Sequence, residues 1–243
     1  MMAAQKQRQE KEGVGGSSVS TPSAICIDKG FWSLLAHGCL TTLGLTTCSD
    51  FFAGPDTSRS HDKEVFSCSS KLVDLRTDNK TGLFASPICS LLSSTLTRLN
   101  LGFEDKVERL PKEQEEALQL LTSLQEIRFS WGPKLQRLPA GLHKLINLKK
   151  LMIDAFFAIQ SLPSLPSSLH ELQIRDCGAI KSLPNSLPSS LEKLMISKCN
   201  AIKLLPKDGL PSSMRELIVH DRNSEELKRQ CHKLIGTIPI IRA

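Results

Sequence analysis

The side chains of this chain that could do chemistry are few, and their spacing suits it poorly. Cys177 and Cys199 occupy equivalent points of a repeated pattern, and two thiols so placed could form a metal pair or a redox couple. None of the eight cysteines has C-x-x-C spacing, however, and the nearby His170 belongs to a surface column and does not complete a metal set. Free cysteine prefers burial, and a side chain at that turn position can donate to the backbone of the adjacent coil. A structural role is therefore expected. Gly13-Val-Gly-Gly-Ser-Ser lacks both the spacing and the lysine of a G-x-x-x-x-G-K-[ST] phosphate loop. No nucleophile has a base and an orienting partner at identifiable spacing. The expectation is a chain with no catalytic residues, metal or cofactor, and so not an enzyme.

Those residues are held by a repeat. Between Leu96 and Val219 the form L-x-x-L-x-L occurs six times: Leu96-Thr-Arg-Leu99-Asn-Leu101, Leu124-Gln-Glu-Ile127-Arg-Phe129, Leu148-Lys-Lys-Leu151-Met-Ile153, Leu169-His-Glu-Leu172-Gln-Ile174, Leu191-Glu-Lys-Leu194-Met-Ile196 and Met214-Arg-Glu-Leu217-Ile-Val219. Successive starts are 28, 24, 21, 22 and 23 residues apart, the range in which each unit is one short strand plus a return stacked on its neighbours. This is a leucine-rich repeat. Weaker copies begin at Leu40 and Leu72, the latter degenerate. Period two within each unit turns the leucines inward and the intervening residues outward.

The returns carry an apolar residue and a Leu-Pro pair, as in Ile180-x-x-Leu183-Pro184, and the last ones add Pro-Ser-Ser at Pro166, Pro188 and Pro211. Proline excludes a long helix there, so these returns should be extended or 3₁₀-like. Two exceptions are expected. Pro111 to Leu121 has proline at a first helical position and acids in the first turn. Asn223-Ser-Glu-Glu226 has capping-box spacing, with Leu227, Cys231 and Leu234 following at helical intervals until Gly236. The predicted fold is an α/β leucine-rich-repeat solenoid, a horseshoe with a parallel concave sheet and mostly non-helical convex returns. A C-terminal capping helix is expected to cover the last strand.

The predicted organisation is a disordered segment over 1–24, degenerate leading repeats over 25–65, the repeat domain over 66–222, and a capping helix and tail over 223–243. The first 24 residues are polar and charged, with too little apolar surface to offset chain entropy. A net charge of +6 is modest, and no basic stripe or known motif marks a nucleic-acid binder. The start lacks the apolar core of a secretory signal, and the stretch from Phe31 to Ala53 is too interrupted to span a membrane. A cytoplasmic protein is expected, in which the sequon Asn79-Lys-Thr81 would go unused.

Three outward columns run across the units. The third position reads Asp74, Arg98, Glu126, Lys150, Glu171, Lys193, Glu216, alternating in sign throughout. Such a ladder is explained by structure, since each charge stands between opposite ones on strands about 4.8 Å apart. Ligand contacts are better sought in the other two. The fifth column offers Arg76, Asn100, Arg128, Met152, Gln173, Met195 and Ile218. The seventh offers Asp154, Arg175, Ser197 and His220, with Trp131 one step beyond its own unit's seventh residue. Exposed methionine, arginine and tryptophan suit protein recognition. A competing reading has Trp131 shielding the strand end and the methionines as scattered surface residues.

Ser168 to Pro184 and Ser190 to Pro206 share the form Ser-Leu-x-x-Leu-x-Ile-x-x-Cys-x-Ala-Ile-Lys-x-Leu-Pro. This resembles the C-terminal repeats of plant nucleotide-binding leucine-rich-repeat (NB-LRR) disease resistance proteins, those of grasses most of all, and the tail from Asn223 is similar as well. The resemblance runs from about Phe66 to the end and implies a sensor region. Its partner would be a pathogen effector, a host protein or a nucleotide-binding receptor, with no nucleotide bound by this chain. A second reading comes from Leu-Pro-x-x-Leu spacing, which looks like bacterial effector ubiquitin ligases. Their Cys-x-Asp motif has its letters in Cys48-Ser-Asp50, but at a repeat turn and without a further domain. A third is a receptor-gene remnant.

Overall fold

The computed structural model describes residue 35 and residues 37–46, 70–78, 83–84, 86–220 and 222–243. The expected disordered segment, most of the leading stretch over 25–65, the sequon and Cys48-Ser-Asp50 lie outside the described residues.

Nine parallel strands form one sheet in strict chain order. They are β1 (Thr42–Leu45), β2 (Asp74–Thr77), β3 (Arg98–Gly102), β4 (Glu126–Ser130), β5 (Lys150–Asp154), β6 (Glu171–Arg175), β7 (Lys193–Ser197), β8 (Glu216–Val219) and β9 (Ile240–Arg242). The chain is a leucine-rich-repeat solenoid, as its period requires. The first, fourth and sixth residues of each unit point into one continuous core: Leu148, Leu151 and Ile153 are fully buried, as are Leu169, Leu172 and Ile174. No coil could bury these alone, so each depends on its neighbours for apolar cover.

The copy at Leu72 is a complete coil. Leu72, Leu75 and Thr77 are buried and β2 pairs in register with β1 and β3. Its threonine at the sixth position hid it from a pattern of leucines.

Of the returns, α2 (Lys112–Gln119) follows Pro111 as expected, with Glu113 and Glu115 in its first turn and Ala117 and Leu118 buried. Two more segments wind. A short helix α1 (Ser86–Leu92), which sequence reading missed, buries Ile88, Cys89 and Leu92, and Ala140–Lys144 forms a 3₁₀ turn. The Pro-Ser-Ser returns are β-turns: Leu169, Leu191 and Met214 donate their N–H to the carbonyls of Pro166, Pro188 and Pro211 at 3.2, 3.0 and 3.0 Å. The serine before each unit then ties the coils together. Ser168, Ser190 and Ser213 Oγ donate to the carbonyls of Leu148, Leu169 and Leu191, the first residue of the preceding unit, at 2.9, 2.7 and 2.7 Å.

The C-terminal end corrects two expectations. Helix α3 (Glu225–His232) is capped by Ser224, whose Oγ accepts from Leu227 N at 3.3 Å, and no capping box from Asn223 forms. The helix buries Leu227 and Cys231 and is the convex return of the eighth unit rather than a lid over the edge. After Gly236, at φ 89°, the chain comes back and adds β9 beside β8. Ile238, Ile241 and Ala243 fill the first, fourth and sixth positions of a ninth unit. Ile238 follows Met214 by 24 residues, a spacing that announces the unit. Its proline and isoleucines conceal it.

Candidate functional site

The strand period carries the third, fifth and seventh columns onto the concave face. In the third, Arg98 Nε bridges Asp74 at 3.0 Å, Lys150 reaches Glu126 at 3.9 Å and Glu171 at 3.4 Å, and Lys193 reaches Glu171 at 3.9 Å and Glu216 at 2.8 Å. The bond to Glu216 holds Lys193 above its ordinary pKa, with the charges of Glu216 and Glu171 adding to it and desolvation opposing. Only the step from Arg98 to Glu126 carries no bridge, because Arg98 turns to Asp74. This column spends its charge on itself.

The fifth column is uneven. Arg76 is exposed, Asn100, Arg128, Met152 and Met195 are half-buried, and Gln173 and Ile218 are buried at 8% and 4% exposure. Placing Gln173 and Ile218 among freely exposed residues is therefore corrected. Gln173 Nε2 donates to Glu171 Oε1 at 2.5 Å and is folded back onto the ladder. Ile218 lies laterally between Met195 and Arg242, the latter on a strand that sequence reading did not foresee, and it stays outside the contiguous core. The accessible apolar surface of this column is Met152 on β5 and Met195 on β7, on either side of Gln173 on β6.

The seventh column is not free of compensation either. Asp154 accepts from Arg128 Nη2 at 2.5 Å, joining two candidate residues in one ion pair, while Arg128 Nε is buried without a partner. Ser130 Oγ donates to Asn100 Oδ1 at 3.1 Å. Arg175 and His220 are exposed and Ser197 is half-buried.

Beyond the seventh position the strands end in a shared turn. Trp131, Ala155, Asp176 and Lys198 all have left-handed backbones, with φ of 55°, 62°, 50° and 55°. The stacking is direct: Trp131, Ala155 and Asp176 N–H groups donate to the carbonyls of Asp154, Arg175 and Ser197 on the next coil at 3.0, 3.0 and 2.9 Å. Trp131 does not seal the strand end. Its ring is 55% exposed, its Nε1 donates to Asp105 Oδ1 at 2.8 Å, and it meets Phe157 edge-on at 6.5 Å and 86°. Sequence reading missed Phe157 and Asp105. The signal available was Phe157 following the already aromatic Phe156, one ring too many for the core.

The turn cysteines act through the backbone. Cys177 Sγ donates to the carbonyls of Arg175 and, on the previous coil, Ile153 at 3.0 and 3.8 Å; Cys199 donates to those of Ser197 and Ile174 at 3.2 and 3.7 Å. Asn223 continues this ladder. Its Nδ2 donates to the Ile196 and His220 carbonyls and its Oδ1 accepts from Cys199 N at 2.8 Å. A hydrogen bond with Cys199, reinforced by burial, pushes the Cys177 thiol up, so it stays protonated. In the unit before Cys177 this position is Phe156, which meets Phe103 edge-on at 5.7 Å, and Gly132 below it leaves room for the ring. Among the described residues no group of three or more His, Cys, Asp or Glu could hold a metal ion, and no helix is long and apolar enough to cross a membrane.

No protein-family model matches the chain, and no curated protein matches it. Among solved structures, the leucine-rich repeat domain of the type III effector XopL is similar at a TM-score of 0.44 and 23% identity, covering 65% of this chain. The match covers 51% of that chain, so the present one spans about half its length. The fold assignment stands on the nine-strand parallel sheet itself.

Proposed function

We propose that this protein is a non-enzymatic recognition module that binds another protein through its concave face. The observation that carries the reading is the pair of half-buried methionines, Met152 and Met195, held in register between a self-neutralised charge ladder and a polar rim. Apolar centre and polar rim is the anatomy of a protein interface. A ladder whose charges are already paired would exclude partners that bring unmatched charge there, which makes for selectivity. Solenoids of this curvature offer extended concave surfaces for such use.

Within that reading, the Ser-Leu-x-x-Leu-x-Ile-x-x-Cys form supports a sensor region of the plant NB-LRR disease resistance type, cytoplasmic and acting in defence. Its partner is a pathogen effector, a host protein or a receptor chain that carries the nucleotide switch.

The test is capture from plant extract with the full chain, run in parallel with Met152→Asp/Met195→Asp. A protein retained by the parent and lost by the double variant, whose melting point is unchanged, is the expected result. Recovery of the same proteins by both would refute concave recognition. A receptor with a nucleotide-binding domain among the lost proteins would support the immune assignment.

A further inference from the structure

At the rim of the concave face, the turns of the third to sixth units set two half-exposed aromatic rings against carboxylates that are in no ion pair among the described residues. Trp131 and Phe157, 55% and 47% exposed, meet at 86° and form an open corner. Large aromatic side chains on a water-facing turn forgo the burial that normally stabilises them. The turn itself does not call for tryptophan. Its left-handed backbone disfavours any residue with a Cβ, and the equivalent positions hold alanine, aspartate and lysine.

Neither carboxylate beside the corner is in an ion pair among the described residues, although Lys198 follows Asp176 on the next coil of the same column. Asp105 accepts from Trp131 Nε1, a neutral donor, through one oxygen and is in no ion pair among the described residues. Asp176, two coils on in the same column, is likewise in no ion pair among the described residues, and Ala155 between them contributes only a methyl group. Asp154, by contrast, is taken by Arg128. Two aromatic faces beside two carboxylates that hold no ion pair attract a cation, and a flat one best: guanidinium stacks on indole while its fork meets a carboxylate.

We propose that Trp131, Phe157, Asp105 and Asp176 form a subsite that takes an arginine side chain of the partner protein. The proposal rests on the reading of this face as a protein-binding surface. It adds that the partner is basic where it meets the rim of the third to sixth units and apolar where it meets Met152 and Met195.

The test uses the full chain with indole ¹⁵N labelling, the two tryptophans being distinguished with Trp131→Phe. Hexa-arginine is titrated, with hexa-lysine and hexa-glutamate as controls. Hexa-arginine is expected to shift the Trp131 indole resonance saturably, hexa-lysine more weakly, and hexa-glutamate not at all. Phe157→Ala and Asp105→Asn should each weaken the hexa-arginine response by about fivefold, the size expected for one cation–π or exposed ionic contact. Asp176→Asn, with an unchanged melting point, should weaken it comparably. A Trp131 resonance that does not move, or that responds equally to both basic peptides, would overturn the arginine assignment. The two readings separate on any protein captured as above: loss with Met152→Asp/Met195→Asp but full retention with Asp105→Asn/Asp176→Asn sinks the subsite and leaves concave recognition standing.

Discussion

Reversing one rung of the charge ladder, Lys150→Glu, tests whether register on this sheet is held by electrostatics. Lys150 bridges Glu126 and Glu171 at 3.9 and 3.4 Å, and all three side chains are between 23% and 35% exposed. With that much water, each bridge is worth about 0.5 kcal/mol. The variant loses both bridges and places its own carboxylate between two others on strands about 4.8 Å apart, each like-charge contact costing about as much as a bridge is worth. The whole change comes to about 2 kcal/mol, or a fall of about 4 to 8 °C in melting temperature for a chain of this length. Lys150→Met is the control, since it removes the attractions and adds no repulsion, and should fall about half as far. Calorimetry of both variants at low salt and in 1 M NaCl, where the screening length is about 3 Å, should show the gap between them close. If Lys150→Glu and Lys150→Met melt together at low salt, or if their gap ignores salt, the ladder has no electrostatic role.

Asn223→Ala should cost about 2 to 4 kcal/mol in denaturant unfolding, because it strands the buried Cys199 N–H and two carbonyls that Asn223 satisfies. Gly132→Ala should lose about 1 to 3 kcal/mol, since its new methyl group would meet the Phe156 ring at 2.2 Å. Gly141→Ala meets the movable end of Gln119 instead and should change stability by less than about 1 kcal/mol. Mass-mapped alkylation at pH 8 should modify Cys39 in the native protein, and Cys89, Cys177, Cys199 and Cys231 only after denaturation. Burial pushes the Cys89 and Cys231 thiols up to about 12 and about 11, and all four side chains are shielded from the reagent.

What the sequence determined by itself is whatever the repeat period controls. A strand has period two, so Leu99 and Leu101 must turn one way and Arg98 and Asn100 the other, and a shift of one residue would bury charge. The strands, their parallel order and the alternating ladder were all legible on that ground. So was α2, because Pro111 and the acids that follow it are local signals. Legibility failed where a unit kept its geometry but changed its letters, as with Thr77 in the second unit and Ile238 to Ala243 in the ninth.

Tertiary structure decided what happens between coils. Cys177, Asn223 and the serines of Pro-Ser-Ser bond to carbonyls about one repeat away in sequence. Arg128 finds Asp154, and Trp131 finds Asp105 and Phe157, across the same distance. A periodic pattern says which residues share a face, but side chains at the rim choose partners by the direction in which a left-handed turn aims them. That direction comes only with the stacked coils. The candidate site moved accordingly, away from Gln173 and Ile218 and toward the corner of Trp131 and Phe157.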